Sequence, residues 1–124
     1  MIILWPIAGK GSRFDSIYSE PKPFIPINNK PMIEHAISSL SIKGDHYVIA
    51  NSLEKKYSSQ LTQIKDKYDL NLELIQLKRE TRGQAETSYL GLEKISPNTN
   101  EELIITNSDQ YTPWNSKPFI DLIK

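Results

Sequence analysis

Residues 8–14 read AGKGSRF, and PKPF follows at Pro21, eight residues after Arg13. This is a pattern for phosphate chemistry. Gly9 and Gly11, at the end of an apolar run, let backbone N–H groups approach anionic oxygens with no side chain in the way. Arg13 and Lys22 supply positive charge. A second cluster, NSDQ from Asn107 to Gln110, directly follows the apolar run LIIT. Asp109 stands there as a magnesium-holding carboxylate would, because a hard cation takes an oxygen ligand at a fixed strand tip beside the phosphates. The same tetrapeptide reads equally well as a turn capped by its Asp. A third cluster, KRETRGQ from Lys78 to Gln84, ends in an amide that reads a base edge or simply opens the next helix.

Two common phosphate-binding motifs do not fit. A dinucleotide fingerprint needs a third Gly where Phe14 stands and an acidic residue after the second strand, where Ala50 and Asn51 stand. A P-loop needs Ser or Thr after its Lys, and Lys10 is followed by Gly11. A lone G-x-G is also a common tight turn. His35 and His46 are too far apart in the pattern for a metal pair and read as structural or solvent-facing. Trp114 is a candidate base-stacking residue, whereas Trp5 within the first strand reads as core.

These residues need a scaffold, and the pattern supplies one. Short apolar runs at Ile2–Ala8, His46–Ala50, Leu72–Leu77 and Leu103–Thr106 alternate with helical stripes, the signature of a parallel sheet with helices on its faces. Pro31 opens a helix with apolar Met32, Ile33, Ala36, Ile37 and Leu40, which Gly44 is expected to end. Leu53, Tyr57, Leu61, Ile64 and Tyr68 form a second stripe, and Ala85, Tyr89, Leu92 and Ile95 a third; all three are expected to be core. Phe14 to Lys30, rich in proline and without periodicity, reads as an ordered loop across the carboxyl edge of the sheet. Phe119 to Ile123 resembles the start of another helix. In open α/β sheets ligands sit beyond the carboxyl ends of the strands, where strand order reverses. The tips of the first, third and fourth strands are therefore expected to converge on one crevice.

At 124 residues the chain makes one modest domain with a single core. Lys plus Arg balances Asp plus Glu at fifteen each, so no long-range field draws nucleic acid or an anionic membrane. The absence of Cys excludes disulfides and thiolate metal sites and accords with a cytoplasmic protein. The opening apolar run is too short, and lacks the basic leader, for a signal peptide or membrane span.

The order and spacing of AGKGSRF, PKPF, KPMIEHAI (30–37), RGQAET (82–87) and ITNSDQ (105–110) resembles the sugar-nucleotide pyrophosphorylases, nucleotidyltransferases with a G-x-G-x-R signature. The resemblance spans nearly the whole chain. It looks closest to bacterial members serving capsule and surface-polysaccharide synthesis, which carry the shorter AGxGSRF loop and NSDQ at the metal position. The hexose-1-phosphate thymidylyltransferases and uridylyltransferases have an extra loop Gly and a Gly before the metal Asp, so the base stays open. The resemblance implies a Rossmann-like three-layer α/β/α fold with a mostly parallel sheet, and transfer of NMP from an NTP to a phosphorylated acceptor with loss of pyrophosphate. It also implies roles. Ala8, Gly9, Gly11 and Ser12 would cradle the triphosphate, Arg13 would neutralise the departing pyrophosphate, and Lys22 would hold the α-phosphate. Asp109 would hold Mg²⁺, Gly83 and Gln84 would contact the base, and Ser108 would line the nucleotide. Family members run to about twice this length, and their second half brings a further metal carboxylate and most of the acceptor pocket. The expectation is thus a truncated chain, or a short variant recruiting its acceptor site from a partner or a second copy. A nucleotide-binding module without chemistry and a partner-binding scaffold are the other classes; Arg13, Lys22 and the glycines at one sheet edge count against the scaffold.

Overall fold

The computed structural model describes residues 1–8, 20–95, 100–111 and 113–123. In chain order its elements are β1 (Ile2–Pro6), a 3₁₀ turn (Lys22–Phe24), the hairpin β2 (Pro26–Ile27) and β3 (Lys30–Pro31), then α1 (Met32–Leu40) and β4 (Asp45–Asn51). There follow α2 (Lys55–Lys67), β5 (Asn71–Leu77), α3 (Gln84–Ile95), β6 (Leu103–Ile105) and α4 (Lys117–Ile123). The main sheet has the order β5-β4-β1-β6, and all its pairs are parallel. This is the mostly parallel, Rossmann-like α/β fold expected from the alternating pattern.

Every residue of β1 is buried, as befits a central strand covered on both faces. Its alternation divides the core. Ile3 and Trp5 join Val48, Leu72 and the α1 and α2 residues Ile33, Ile37, Tyr57, Leu61 and Ile64 on one face. Ile2 and Leu4 join Ile49 and Leu77 on the other, beneath Leu90, Leu92 and Ile95 of α3. Trp5 is core, and its Nε1 donates to His46 Nδ1 at 3.1 Å. That bond leaves the proton on Nε2 of the buried histidine.

The strands match the expected runs within one or two residues; β1 stops at Pro6, which brings no N–H to the ladder. Three expectations need correction. First, the α1 helix ends before Gly44. Leu40 is its last residue and Ser41, at φ 54°, takes the left-handed cap position. Gly44 answers a different demand, since a Cβ there would lie 2.7 Å from the Met1 carbonyl oxygen where the chain passes the start of β1.

Second, α3 does not bury its whole apolar stripe. Ala85 is exposed and Tyr89 is 62 % exposed, while Thr87, Ser88 and Gly91 face the sheet and Leu92 and Ile95 are half-buried. The reason is closeness of approach. A Cβ on Gly91 would lie 2.8 Å from Ile49 Cγ1 and nearer still to Cδ1, so small side chains occupy the contact. Third, the part of the proline-rich segment from residue 20 onward, expected as an ordered loop, holds regular elements, the 3₁₀ turn and the β2–β3 hairpin. Asn28 (φ 51°) and Asn29 (φ 67°) make the two-residue left-handed turn that joins β2 to β3.

Candidate functional site

The strand following β1 in the sheet's path is laid down on one side of it and β6 on the other, so strand order reverses between β1 and β6. In open α/β sheets the crevice for ligands lies at the carboxyl ends of such a pair. The segment after β6 therefore lands beside the exit of β1. The tip of β5 does not converge with them, because it lies three strand spacings from β6, roughly 14 Å. What brings part of the third cluster to the crevice is the return of the chain through α3.

Lys22 reaches this place from a firmly mounted turn. Phe24 is buried, its ring 4.8 Å from that of Tyr57 on α2. Backbone bonds from Phe24 N to Pro21 O (2.9 Å), Ile25 N to Lys22 O (3.2 Å) and Met32 N to Ile25 O (3.0 Å) fasten the turn to the hairpin and α1. In PKPF the prolines and Phe24 build the mount and Lys22 projects from it. Its Nζ donates to Asp109 Oδ2 at 2.9 Å, a contact between residues 87 apart in sequence. Asp109 belongs to the turn after β6, beside half-buried Ser108.

Gln84, the first residue of α3, donates from Nε2 to Asn107 Oδ1, just after β6. Asn107, two residues before Asp109, thereby joins the start of α3 to the turn that carries Asp109. The helix start is fixed by Thr87, whose N and Oγ1 both donate to the Gly83 carbonyl (3.1 and 3.0 Å). Glu86 accepts from Arg82 N and pairs with Arg82 (2.8 Å) and Arg79 (3.3 Å), and the Arg82 contacts hold its carboxyl below the ordinary range. Arg79 and Arg82 of the third cluster are thus engaged at the start of α3. Gly83 itself has open space: a Cβ there would meet nothing within 4 Å.

Ala8 is buried at the exit of β1. Gly9, Gly11, Ser12 and Arg13 lie outside the described residues. Among the described residues no group of three or more His, Cys, Asp or Glu could hold a metal ion. Asp109 offers a hard carboxylate oxygen beside the Lys22 ammonium, the chemistry that Mg²⁺ shared with phosphate oxygens would take. A cavity of about 340 Å³ adjoins Asp109, lined by Ile27, Asn28, Met32, His35, Gln110 and Tyr111. His35 Nε2 lies 2.6 Å from the Ile27 carbonyl oxygen and the ring meets Tyr111 edge-on, which is a structural role in the hairpin. Trp114 is not at the crevice. Its Nε1 donates to Leu40 O at the far end of α1 (2.8 Å) and its ring packs on Phe119.

The nucleotidyl transferase family model matches residues 2–124. No curated protein matches the chain. Among solved structures, the nucleoside-diphosphate-sugar pyrophosphorylase from Vibrio cholerae RC9 is similar at 25 % identity and a TM-score of 0.71, over 93 % of this chain and 50 % of that one. A UDP-glucose pyrophosphorylase complexed with UDP-glucose shares the fold at 20 % identity and a TM-score of 0.62, over 87 % of this chain and 45 % of that one. A nucleotidyl transferase from Methanothermobacter thermautotroptrophicus shares it at 14 % identity and a TM-score of 0.60, over 90 % and 52 % respectively. The chain spans about half the length of these structures. With its match across residues 2–124, the chain belongs to the nucleotidyl transferase family.

Proposed function

We propose that this chain carries the nucleotide-binding part of a nucleotidyltransferase that moves NMP from an NTP to a sugar phosphate or similar phosphorylated acceptor. The observation that carries the reading is the meeting of Lys22 and Asp109 at the strand-order reversal, an anion-binding cation beside a metal-type carboxylate. An acceptor phosphate oxygen attacks the α-phosphorus, the bond to the bridging oxygen breaks, and pyrophosphate leaves. Positioning and charge neutralisation supply most of the rate in such transfers. Lys22 holds the α-phosphate as a point charge. Ala8, Gly9, Gly11 and Ser12 floor the triphosphate with backbone groups, and Arg13 takes the pyrophosphate with its guanidinium fork. Ser108 lines the nucleotide, and Gly83 with Gln84 meets the base. The open space over Gly83, where neither packing nor a left-handed φ among the described residues asks for glycine, supports that last role. Mg²⁺, held by Asp109 with the phosphates, would neutralise charge on the triphosphate.

The AGxGSRF loop and NSDQ support a role in surface-polysaccharide synthesis, and the cysteine-free sequence accords with a cytoplasmic site of action. A thermal-shift screen against CTP, UTP, dTTP, GTP and ATP, with and without Mg²⁺, tests the reading, since a ligand of the native state raises its stability by mass action. At least one triphosphate is expected to stabilise the chain more with Mg²⁺ than without, and Asp109→Ala to abolish the increment. No shift with any of them overturns the proposal. Arg13→Ala is expected to lower turnover by on the order of 10²-fold; near-normal pyrophosphate release would remove Arg13 from the mechanism. A second reading rests on the chain's length relative to its structural neighbours: a module that binds the triphosphate and releases no pyrophosphate with any acceptor.

A further inference from the structure

We infer that the Lys22–Asp109 ion pair is an internal latch, in which each residue stands in for the other's ligand, so that metal and triphosphate enter together and neither readily enters alone. The inference rests on the function proposed above. Its basis is the way the pair is built. Lys22 Nζ and Asp109 Oδ2 are 2.9 Å apart, with side chains 24 % and 39 % exposed. Most surface pairs gain little because two flexible side chains must be ordered to meet. Here each partner springs from an anchored segment. The Lys22 turn is held by buried Phe24, by its own backbone bonds and by the bond from Met32 N to Ile25 O, and Asp109 follows a strand registered against β1.

A free divalent cation must compete with the Lys22 ammonium for the carboxylate. A metal-free triphosphate must compete with the carboxylate for the ammonium, and meets a like charge beside it. The metal–triphosphate complex escapes both penalties. It gives Lys22 a phosphate and Asp109 a cation in one event, exchanging one ion pair for two. Metal and triphosphate are then positively coupled through this contact, over and above their affinity for each other in solution.

The test uses inorganic tripolyphosphate, which bypasses the unknown base, titrated calorimetrically into the purified chain in EDTA and again in Mg²⁺. Wild type is expected to bind better with Mg²⁺. In EDTA, Asp109→Asn is expected to bind tripolyphosphate about two- to fivefold more tightly than wild type, the range set by a partly exposed pair. In a Lys22→Met background the same substitution is expected to bring a smaller gain, the relief of like-charge repulsion alone, because no ammonium remains to be released. Absence of the gain in the single variant, or an undiminished gain in the Lys22→Met background, overturns the latch and leaves the function standing. Failure of wild type to bind tripolyphosphate with or without Mg²⁺ overturns the function and the latch with it.

Discussion

Glu34, on the first turn of α1, is buried and accepts from Lys67 Nζ at 2.9 Å and Tyr68 Oη at 2.7 Å, tying α1 to the end of α2. Burial pushes its carboxyl up, but those bonds and the charges of Lys67 and Lys30 outweigh it and hold the pKa below the ordinary 4.5. Such a group stabilises the fold above its unfolded pKa, and the contribution is lost as pH falls from 4.5 through the lowered value. His46 adds an earlier stage. Burial lowers its pKa from 6.5, against the opposing pull of the Ile42 carbonyl and Asp45, so below 6.5 the unfolded chain takes a proton that the folded one refuses. Thermal unfolding followed against pH is therefore expected to show a loss beginning near 6.5 and a further one below 4.5. His46→Gln, which keeps an acceptor for Trp5, should remove the first; an unchanged profile would show that His46 is not the group responsible. Glu34→Gln is expected to cost about 1–2 kcal/mol at neutral pH, since its charged hydrogen bonds are lost while half-exposed Lys67 regains water. Denaturant unfolding measures it, and no change would mean the triad is energetically idle.

At the scale of the element, α3 illustrates how packing overrides periodicity. Its apolar residues at 85, 89 and 92 have helical spacing, yet the face that meets the sheet is Thr87, Ser88 and Gly91. Gly91→Ala tests the closeness of that contact. In an exposed helix the exchange would stabilise by about 1 kcal/mol through propensity. Here the added methyl runs into Ile49, and overpacking is expected to reverse the sign, for a net loss of about 1–2 kcal/mol. A variant more stable than wild type would show that the helix can move away from the strand at no cost. The same logic makes the Lys22–Phe24 turn a mount for the site, because its apolar half is core while its cation faces the crevice.

Across the whole molecule, the two edges of the sheet differ. β5 presents the polar residues Asn71, Glu73 and Gln76 among its exposed positions. β6 leaves Leu103 42 % and Ile105 48 % exposed. Register with Ile2 and Leu4 places both on the α3 side of the sheet, where Tyr89 is also exposed. An apolar edge strand of this kind is a liability for edge-to-edge association. Where the purified chain self-associates through this edge in sedimentation velocity, Ile105→Lys is expected to reduce it, with a stability change within about 0.5 kcal/mol. Association unchanged by the lysine would place the contact elsewhere.

The alternation of apolar runs and stripes in the sequence sufficed for the parallel α/β class, because strands buried on both faces and helices buried on one leave periodicities that local chemistry alone imposes. PKPF and NSDQ likewise carried Lys22 and Asp109 as candidates, since turn prolines and a carboxylate at a strand end are legible without knowing their neighbours. What only the tertiary structure decided was adjacency. Strand order set the β6 loop beside β1 and β5 at the far edge, Gly91 chose the face of α3, and Gln84 found Asn107 by the return of a helix across the sheet. These depend on distances between segments far apart in the chain, and such distances come from packing, which no local pattern encodes.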